Sequence, residues 1–221
     1  MTFGADPNKA ITMAVRSFLQ TAAKEPSIKR FVLTSSNRAA ANPTVNEDVT
    51  IDANHRNEEA VESAWPYPLR GGSHLKCHVY ASLKAQCEQE IWKFNREEKP
   101  GFVINTPGSS GKWVMDFWKD SGHYMPLQQF GPSWYSDTED TALLHIAALT
   151  QEDVKNERLF GWPGTFNFNS WVDVFRQIDP SKPWPADDSA QGHDLCKVDT
   201  RYHQRVGIAE AIRTGRLDKL L

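Results

Sequence analysis

Short apolar segments that alternate with helical patterns constrain the fold of this chain more than any other feature. Residues 31–34 begin with an apolar run that opens into a hydroxyl-rich loop, and residues 101–105 form a second such run. Both predict buried strands. Residues 7–24 place apolar side chains at helical spacing before Pro26, and residues 79–95 repeat the pattern. Strands that alternate with helices predict an α/β fold with a parallel, doubly wound sheet.

The second half of the chain predicts a smaller lobe. Apolar spacing indicates a further strand at 158–162 and helices at 112–118, 138–149 and 169–178. We therefore expect two parts: residues 1–106 form half of a dinucleotide-binding domain, and residues 107–221 form a C-terminal substrate lobe. Between the first strand and the next helix, residues 37–75 are rich in Asn, Glu, Pro and Gly. We interpret this segment as a surface insertion beside the site.

Tyr80 and Lys84 are the leading candidates for chemistry. They lie one helical turn apart, at the expected start of their helix, so phenol and ammonium project from the same face. A free tyrosine ionises only near ~10, and an ammonium within a few ångströms favours the phenolate. Ser36 could donate a hydrogen bond to a substrate carbonyl oxygen while Tyr80 donates the proton. A Tyr-x-x-x-Lys match also occurs by chance, so its context decides.

That context resembles a known family. Residues 22–36, the run Tyr80-Ala81-Ser82-Leu83-Lys84 and residues 99–106 together resemble the extended short-chain dehydrogenase/reductases, in the dihydroflavonol-reductase-like and aldehyde-reductase-like branch of the NAD-dependent epimerase/dehydratase family. The resemblance implies a partial, Rossmann-like sheet. It also implies catalysis by Ser36, Tyr80 and Lys84, and cofactor contacts from Thr34, Tyr80 and Lys84. The family usually has serine directly before the lysine, where Leu83 stands here.

The implied activity is NAD(P)H-dependent reduction of aldehydes or ketones in secondary metabolism, with hydride from the nicotinamide and the proton from Tyr80. The cofactor implied is NADP or NAD. An epimerase or dehydratase stays open, since the wider family shares the three residues. A non-catalytic remnant or binding protein also stays open.

A glycine-rich loop is the expected feature that this sequence does not contain. In the family a Gly-x-x-Gly-x-x-Gly loop holds the dinucleotide, and it precedes the segment where the resemblance begins. We therefore expect the N-terminal cofactor-binding half to be lacking, dinucleotide binding by this chain alone to be weak, and the chain to be inactive if nothing replaces the loop. The outer edge of the strand at 31–34 should be bare, which predicts self-association through that edge.

Composition limits the remaining partners. A net charge of -3 gives no reason to expect nucleic acid or membrane binding. Three cysteines without paired spacing, and the lack of a signal segment or apolar span, predict a cytoplasmic protein. No metal is predicted, because the group His74, Cys77 and His78 lacks a second ligand pair, and the acidic stretch at 187–194 is typical of a solvated turn.

Tryptophans are abundant in the second half of the chain. They could serve packing or could line a pocket for a bulky or aromatic carbonyl substrate, and both roles stay open. The four that fall in or near the predicted lobe are Trp113, Trp118, Trp134 and Trp162.

Overall fold

The computed structural model describes residues 7–64, 73–108, 132–135, 138–161 and 164–199. Within this part of the chain a short 3-10 helix covers Asn37–Ala39. The helices are α1 (Pro7–Ala23), α2 (Glu58–Ala64), α3 (Ser73–Glu98), α4 (Thr138–Thr150) and α5 (Phe168–Ile178). The strands are β1 (Arg30–Val32), β2 (Thr50–Asp52), β3 (Val103–Pro107), β4 (Ser133–Tyr135), β5 (Glu157–Leu159), β6 (Gly164–Phe166) and β7 (Lys197–Asp199).

A parallel sheet lies at the centre of the described chain, with the strand order β1-β3-β5. Phe31 aligns with Ile104 in the first pair, and Thr106 aligns with Arg158 in the second. The two apolar segments predicted to be strands thus pair with each other. Among the described residues β1 is an edge strand, as predicted. Because β5 belongs to the second half of the chain, the sheet continues beyond residue 106, and the division into two parts stays a prediction.

Helices cover both faces of this sheet, which confirms the doubly wound α/β fold. α1 and α3 pack on one face, where Leu19, Phe94 and Ile104 are buried together. α4 packs on the other face, against β1 and β3. There Asn105 donates from Nδ2 to the carbonyl oxygens of Ala148 at 3.0 Å and of Val154 at 3.2 Å. The buried amide thus satisfies the Ala148 carbonyl in the last turn of α4, which lacks a helical partner, and the Val154 carbonyl in the loop after α4.

Helix and strand boundaries agree unequally with the sequence expectations. α1, α4 and α5 match the predicted helices to within one residue. β1 and β3 are each displaced by a residue or two. The start of α3 was predicted wrongly: it begins at Ser73, because no helix-breaking residue lies between Gly72 and Tyr80. Tyr80 therefore lies well inside the helix and not at its start.

The described part of the segment 37–75, residues 37–64, is not a surface insertion, so that prediction is wrong for these residues. It contributes β2 and α2, and α2 packs against α3. Ala40 and Ile51 are buried in a second apolar cluster, called the second cluster, together with Trp134, Phe160, Cys196 and Val198. The buried residues of this segment are alanines or isolated apolar residues with polar neighbours. Because they form no apolar run, the sequence did not indicate that they are buried. Residues 65–72 and the predicted helix at 112–118 lie outside the described residues.

Two small sheets contribute residues to the second cluster. β2 pairs in parallel with β7, and β4 pairs in antiparallel with β6. α5 begins at a capping box in which Asn167 Oδ1 accepts from the Ser170 backbone N–H, and Ser170 Oγ accepts from the Asn167 backbone N–H. The pairing of β2 with β7 holds the end of the described chain against the segment that follows β1.

Candidate active site

The loop after β1 lies at the carboxyl edge of the parallel sheet, where open α/β sheets bind their ligands. The Ser35 backbone N–H donates to the Pro107 carbonyl oxygen at 2.7 Å, and Ser35 forms a parallel bridge with Gly108. The pairing of β1 with β3 therefore continues into the loop that carries Thr34 and Ser36. A continued pairing fixes the direction in which successive side chains leave this loop, since they alternate between opposite faces.

Ser36 is buried, with 3% of its surface exposed. It caps the 3-10 helix, because its Oγ accepts from the Arg38 backbone N–H at 3.3 Å. An oxygen that accepts in this way keeps its own hydrogen available to donate. Ser36 thus has the donor that a carbonyl substrate requires. Within the described part of the chain its side chain makes no hydrogen bond to Tyr80 or Lys84.

Tyr80 and Lys84 meet as their spacing predicts. Lys84 Nζ lies 5.9 Å from the centroid of the Tyr80 ring and donates to the Thr34 carbonyl oxygen at 2.9 Å. This carbonyl lies on the loop after β1, so the ammonium joins the helix to that loop. Tyr80 is 40% exposed, which leaves its phenol accessible to a ligand. The structure therefore brings Thr34, Tyr80 and Lys84 together at one edge of the sheet.

His145 contacts this group, and the sequence analysis missed it. Thr34 Oγ1 lies 2.8 Å from His145 Nε2, and His145 Nδ1 lies 2.8 Å from the Thr141 carbonyl oxygen. A carbonyl only accepts, so Nδ1 donates to it, and in the neutral ring Nε2 then accepts from the Thr34 hydroxyl. No sequence signal joins α4 to the end of β1, because the contact depends on how α4 packs on the sheet.

Burial disfavours Cys87, one turn beyond Lys84, as a nucleophile. Burial raises the pKa of its thiol, and the smaller opposing effect of the Lys84 charge does not reverse this. A thiol that stays protonated is a poor nucleophile.

The acidic stretch predicted to be a solvated turn is used in part for local contacts. Asp187 pairs with Arg176 at 2.6 Å, and Asp188 Oδ1 accepts from the Ala190 backbone N–H. Trp134 is buried in the second cluster, with its ring centroid 6.1 Å from that of Phe160, so its role is packing. Trp113, Trp118 and Trp162 lie outside the described residues.

The described side chains fit one end of a nicotinamide dinucleotide. Lys84 has an ammonium with three donors, and Tyr80 exposes a phenol beside it, which suits the hydroxyl groups of a ribose. The pyrophosphate and adenosine require a glycine-rich turn at a helix N-terminus. Within the described residues no strand leads into a helix through such a turn.

Known proteins resemble the chain along most of its length. No protein-family model matches it. It is 47% identical over 219 residues to the NAD-dependent epimerase/dehydratase terH of Aspergillus terreus, a match that covers 90% of this chain and 63% of that protein. It is 35% identical over 200 residues to aldehyde reductase 2 of Sporidiobolus salmonicolor, covering 82% of this chain and 57% of that protein.

The fold is similar to that of yeast methylglyoxal/isovaleraldehyde reductase Gre2 in its crystal structure with NADPH. The TM-score is 0.65 and the identity 18%, over 88% of this chain and 63% of that one. At this identity the likeness shows the fold alone. The chain thus spans 63% and 57% of the lengths of the two sequence relatives.

Proposed function

This chain belongs to the extended short-chain dehydrogenase/reductase family, and on that premise we propose that its site carries the chemistry of an NAD(P)H-dependent reductase of aldehydes or ketones. The observation that carries the proposal is the position of Lys84. Its ammonium contacts the loop after β1 and faces the ring of Tyr80, at the sheet edge where a substrate would bind.

Each of the three side chains has a distinct task in the proposed reaction. Ser36 donates its hydroxyl hydrogen to the substrate carbonyl oxygen, which holds the carbonyl and stabilises the charge that develops on oxygen. Tyr80 transfers its phenolic proton to that oxygen. Lys84 stabilises the phenolate that this transfer leaves behind, since a cation near the ring favours the anionic form. A bound nicotinamide supplies the hydride.

Tyr80 and Lys84 are proposed to hold the nicotinamide ribose, and Thr34 acts by orienting Lys84 through its carbonyl oxygen. Yeast Gre2 binds NADPH and the relative terH is named NAD-dependent, which supports a nicotinamide cofactor and leaves the choice between NADP and NAD open. We propose that the substrate is a small-molecule aldehyde or ketone with a bulky or aromatic group, and that the reaction belongs to secondary metabolism. None of the described helices is both long and apolar enough to cross a membrane. The free thiols of the half-buried Cys87 and the buried Cys196 support a cytoplasmic location.

Transfer of an isotope tests the reductase proposal sensitively. The chain is incubated with an aromatic ketone and several millimolar NADPH or NADH deuterated at the nicotinamide C4, and the alcohol is analysed by mass spectrometry. We expect alcohol with one deuterium at the carbinol carbon, formed by the unchanged chain and much less by Tyr80→Phe or Lys84→Met. Equal traces from all three proteins would contradict the proposal.

A further inference from the structure

A charged pair is buried beside the candidate site. Glu88 of α3 and Arg158 of β5 form a salt bridge through Oε2 and Nη2, with 0% and 2% of their side-chain surfaces exposed. Arg158 Nε also donates to Glu88 Oε2 at 2.9 Å. Glu88 follows Lys84 by one helical turn and Tyr80 by two. Glu88 therefore lies on the same helix as the proposed catalytic side chains, one turn nearer to the C-terminus than Lys84.

Other contacts of this pair join separate elements. Ser35 Oγ donates to Glu88 Oε1, and Trp92 Nε1 donates to Oε2 at 3.4 Å. On the other side, Arg158 Nη1 donates to the His55 carbonyl oxygen at 2.5 Å, in the segment between β2 and α2. We call Glu88, Arg158, Ser35 and Trp92 the Glu88 network. It connects the loop after β1 with α3, β5 and the segment after β2.

Stability alone is a weak reason for such a network. Removing two charges from water is costly, and apolar residues of similar volume often replace a buried ion pair without loss of stability. Arg56 shows that cost locally: burial, and next the charge of Arg158, lower its pKa to about 10. A fully hydrogen-bonded network of this kind instead specifies one arrangement of the elements that it joins.

We propose that the Glu88 network is a positioning device that sets the loop carrying Ser36 against the helix carrying Tyr80 and Lys84. Ser35 and Ser36 are neighbours, so the bond from Ser35 to Glu88 fixes the orientation of the loop at the residue before the proposed hydrogen-bond donor. Lys84 holds the same loop through the Thr34 carbonyl oxygen, one residue earlier. Glu88 and Ser35 are positioning residues, and this inference rests on the proposed function of the three side chains that they align.

A matched pair of substitutions on one helix tests the proposal. Glu88→Gln removes the charge that holds Ser35 and Arg158. Glu90→Gln makes the same change at a carboxylate that pairs with Arg16 of α1 at 2.9 Å, away from the loop. Amide hydrogen exchange is measured by NMR at Ser35, whose N–H donates to the Pro107 carbonyl oxygen of β3, and at Arg38, whose N–H donates to Ser36 Oγ. We expect exchange at these two amides to be at least tenfold faster in Glu88→Gln and changed less than twofold in Glu90→Gln.

A spectroscopic signal from Lys84 separates positioning from a general loss of stability. The lysines are dimethylated with carbon-13, and the Lys84 signal is assigned by its absence from Lys84→Arg. In Ser35→Ala, which leaves the ion pair in place, we expect this signal to move toward the shift of exposed lysines, because the loop releases Nζ. An unchanged signal would overturn the proposal, as would equal acceleration of exchange throughout α1 and the loop in Glu88→Gln. Ser35→Ala serves where Glu88→Gln fails to fold. No substrate or dinucleotide is used, so a failed reductase assay leaves these outcomes interpretable.

Discussion

Tyr80 and Lys84 are separated by one helical turn, and their surroundings within that turn suit them to different tasks. Lys84 is engaged by the Thr34 carbonyl oxygen, so its ammonium is held in place. Tyr80 is exposed and keeps its phenol accessible. A fixed cation beside an accessible phenol is the arrangement on which our proposal of proton transfer to a bound carbonyl rests. The spacing in the sequence was sufficient to predict this contact, because helix geometry alone brings the two side chains together.

Substitution of Tyr80 by phenylalanine tests that arrangement. The ring is kept and the transferable proton is lost, so we expect the rate of carbonyl reduction to fall by about 10² or more. Deuterium transfer from the nicotinamide to the product measures the rate. Near-normal turnover of Tyr80→Phe would remove Tyr80 from the mechanism.

Cys196 gives a prediction about pH and stability. Burial raises the pKa of its thiol in the folded chain to about 12, from an ordinary value of 9.0. Above pH 9 the unfolded chain loses this proton more readily than the folded chain does, so the free energy of unfolding should fall between about pH 9 and about pH 12. Below pH 9 the thiol is protonated in both the folded and the unfolded chain, so the free energy of unfolding keeps its full value there. Urea unfolding at several pH values measures it.

Replacement of Cys196 by alanine should make that fall with pH shallower, because the titrating thiol is gone. The comparison is between the slopes of the two proteins and not between their absolute stabilities, which the lost packing in the second cluster also lowers. Identical slopes for the two proteins between pH 9 and pH 11 would show that the thiol is not held protonated by burial.

Residues outside the motif could not be identified before the structure was known. His145, Glu88 and Arg158 reach the site or its supporting loop from α4, α3 and β5, and each contact joins residues far apart in the chain. Glu88 offered the best signal, since a charged residue on the helix face that also carries Ile91 and Trp92 must find a partner when that face is buried. The partner itself could be known only from the sheet order.

Among the described elements, β1 is the one most exposed to pairing with another chain. Leu33 donates its backbone N–H to the Asn105 carbonyl oxygen on β3, so the N–H of its neighbour Val32 points to the opposite, outer edge of the strand. No described strand pairs with this outer edge. Just beyond β1, the Thr34 carbonyl oxygen accepts a hydrogen bond from Lys84. An edge of this kind favours pairing with another chain.

Two substitutions at Val32 test self-association through this edge. Val32→Pro removes the outer N–H without breaking a bond to β3 and should give a monomer. Val32→Ala makes a similar loss of side-chain packing but keeps the N–H, and it should associate as the unchanged chain does. Sedimentation velocity at micromolar concentration distinguishes them. A monomeric, cooperatively folded unchanged chain would show that the edge is not used.

Elements with a long periodic pattern were predictable, and elements defined by pairing were not. α1, α4 and α5 follow their apolar spacing closely. β2 and β7 are three residues each, too short for a period, and they exist because they pair with one another. Tertiary pairing of this kind overrides local preference in short strands.

On the scale of the whole molecule, the 221-residue polypeptide is expected to bind NADH or NADPH only weakly, around millimolar or worse. Contacts from Tyr80 and Lys84 at the nicotinamide end must offset an association cost of at least ~4 kcal/mol. Isothermal titration with both dinucleotides measures the binding, and Lys84→Met should weaken it further. Low-micromolar affinity for either dinucleotide would mean that other residues of this chain hold the phosphates.

The parallel pairing of β2 with β7 has a consequence for how the chain is made. The two strands lie far apart in the described sequence, and Ile51 and Val198 meet in one buried cluster. Contacts between such distant residues slow folding, because a long loop must close before they form. During synthesis Ile51 leaves the ribosome early. It cannot pack against Val198 until that residue, one of the last described residues to be synthesised, has also emerged. During that interval the apolar surface around β2 is exposed to other chains and to chaperones.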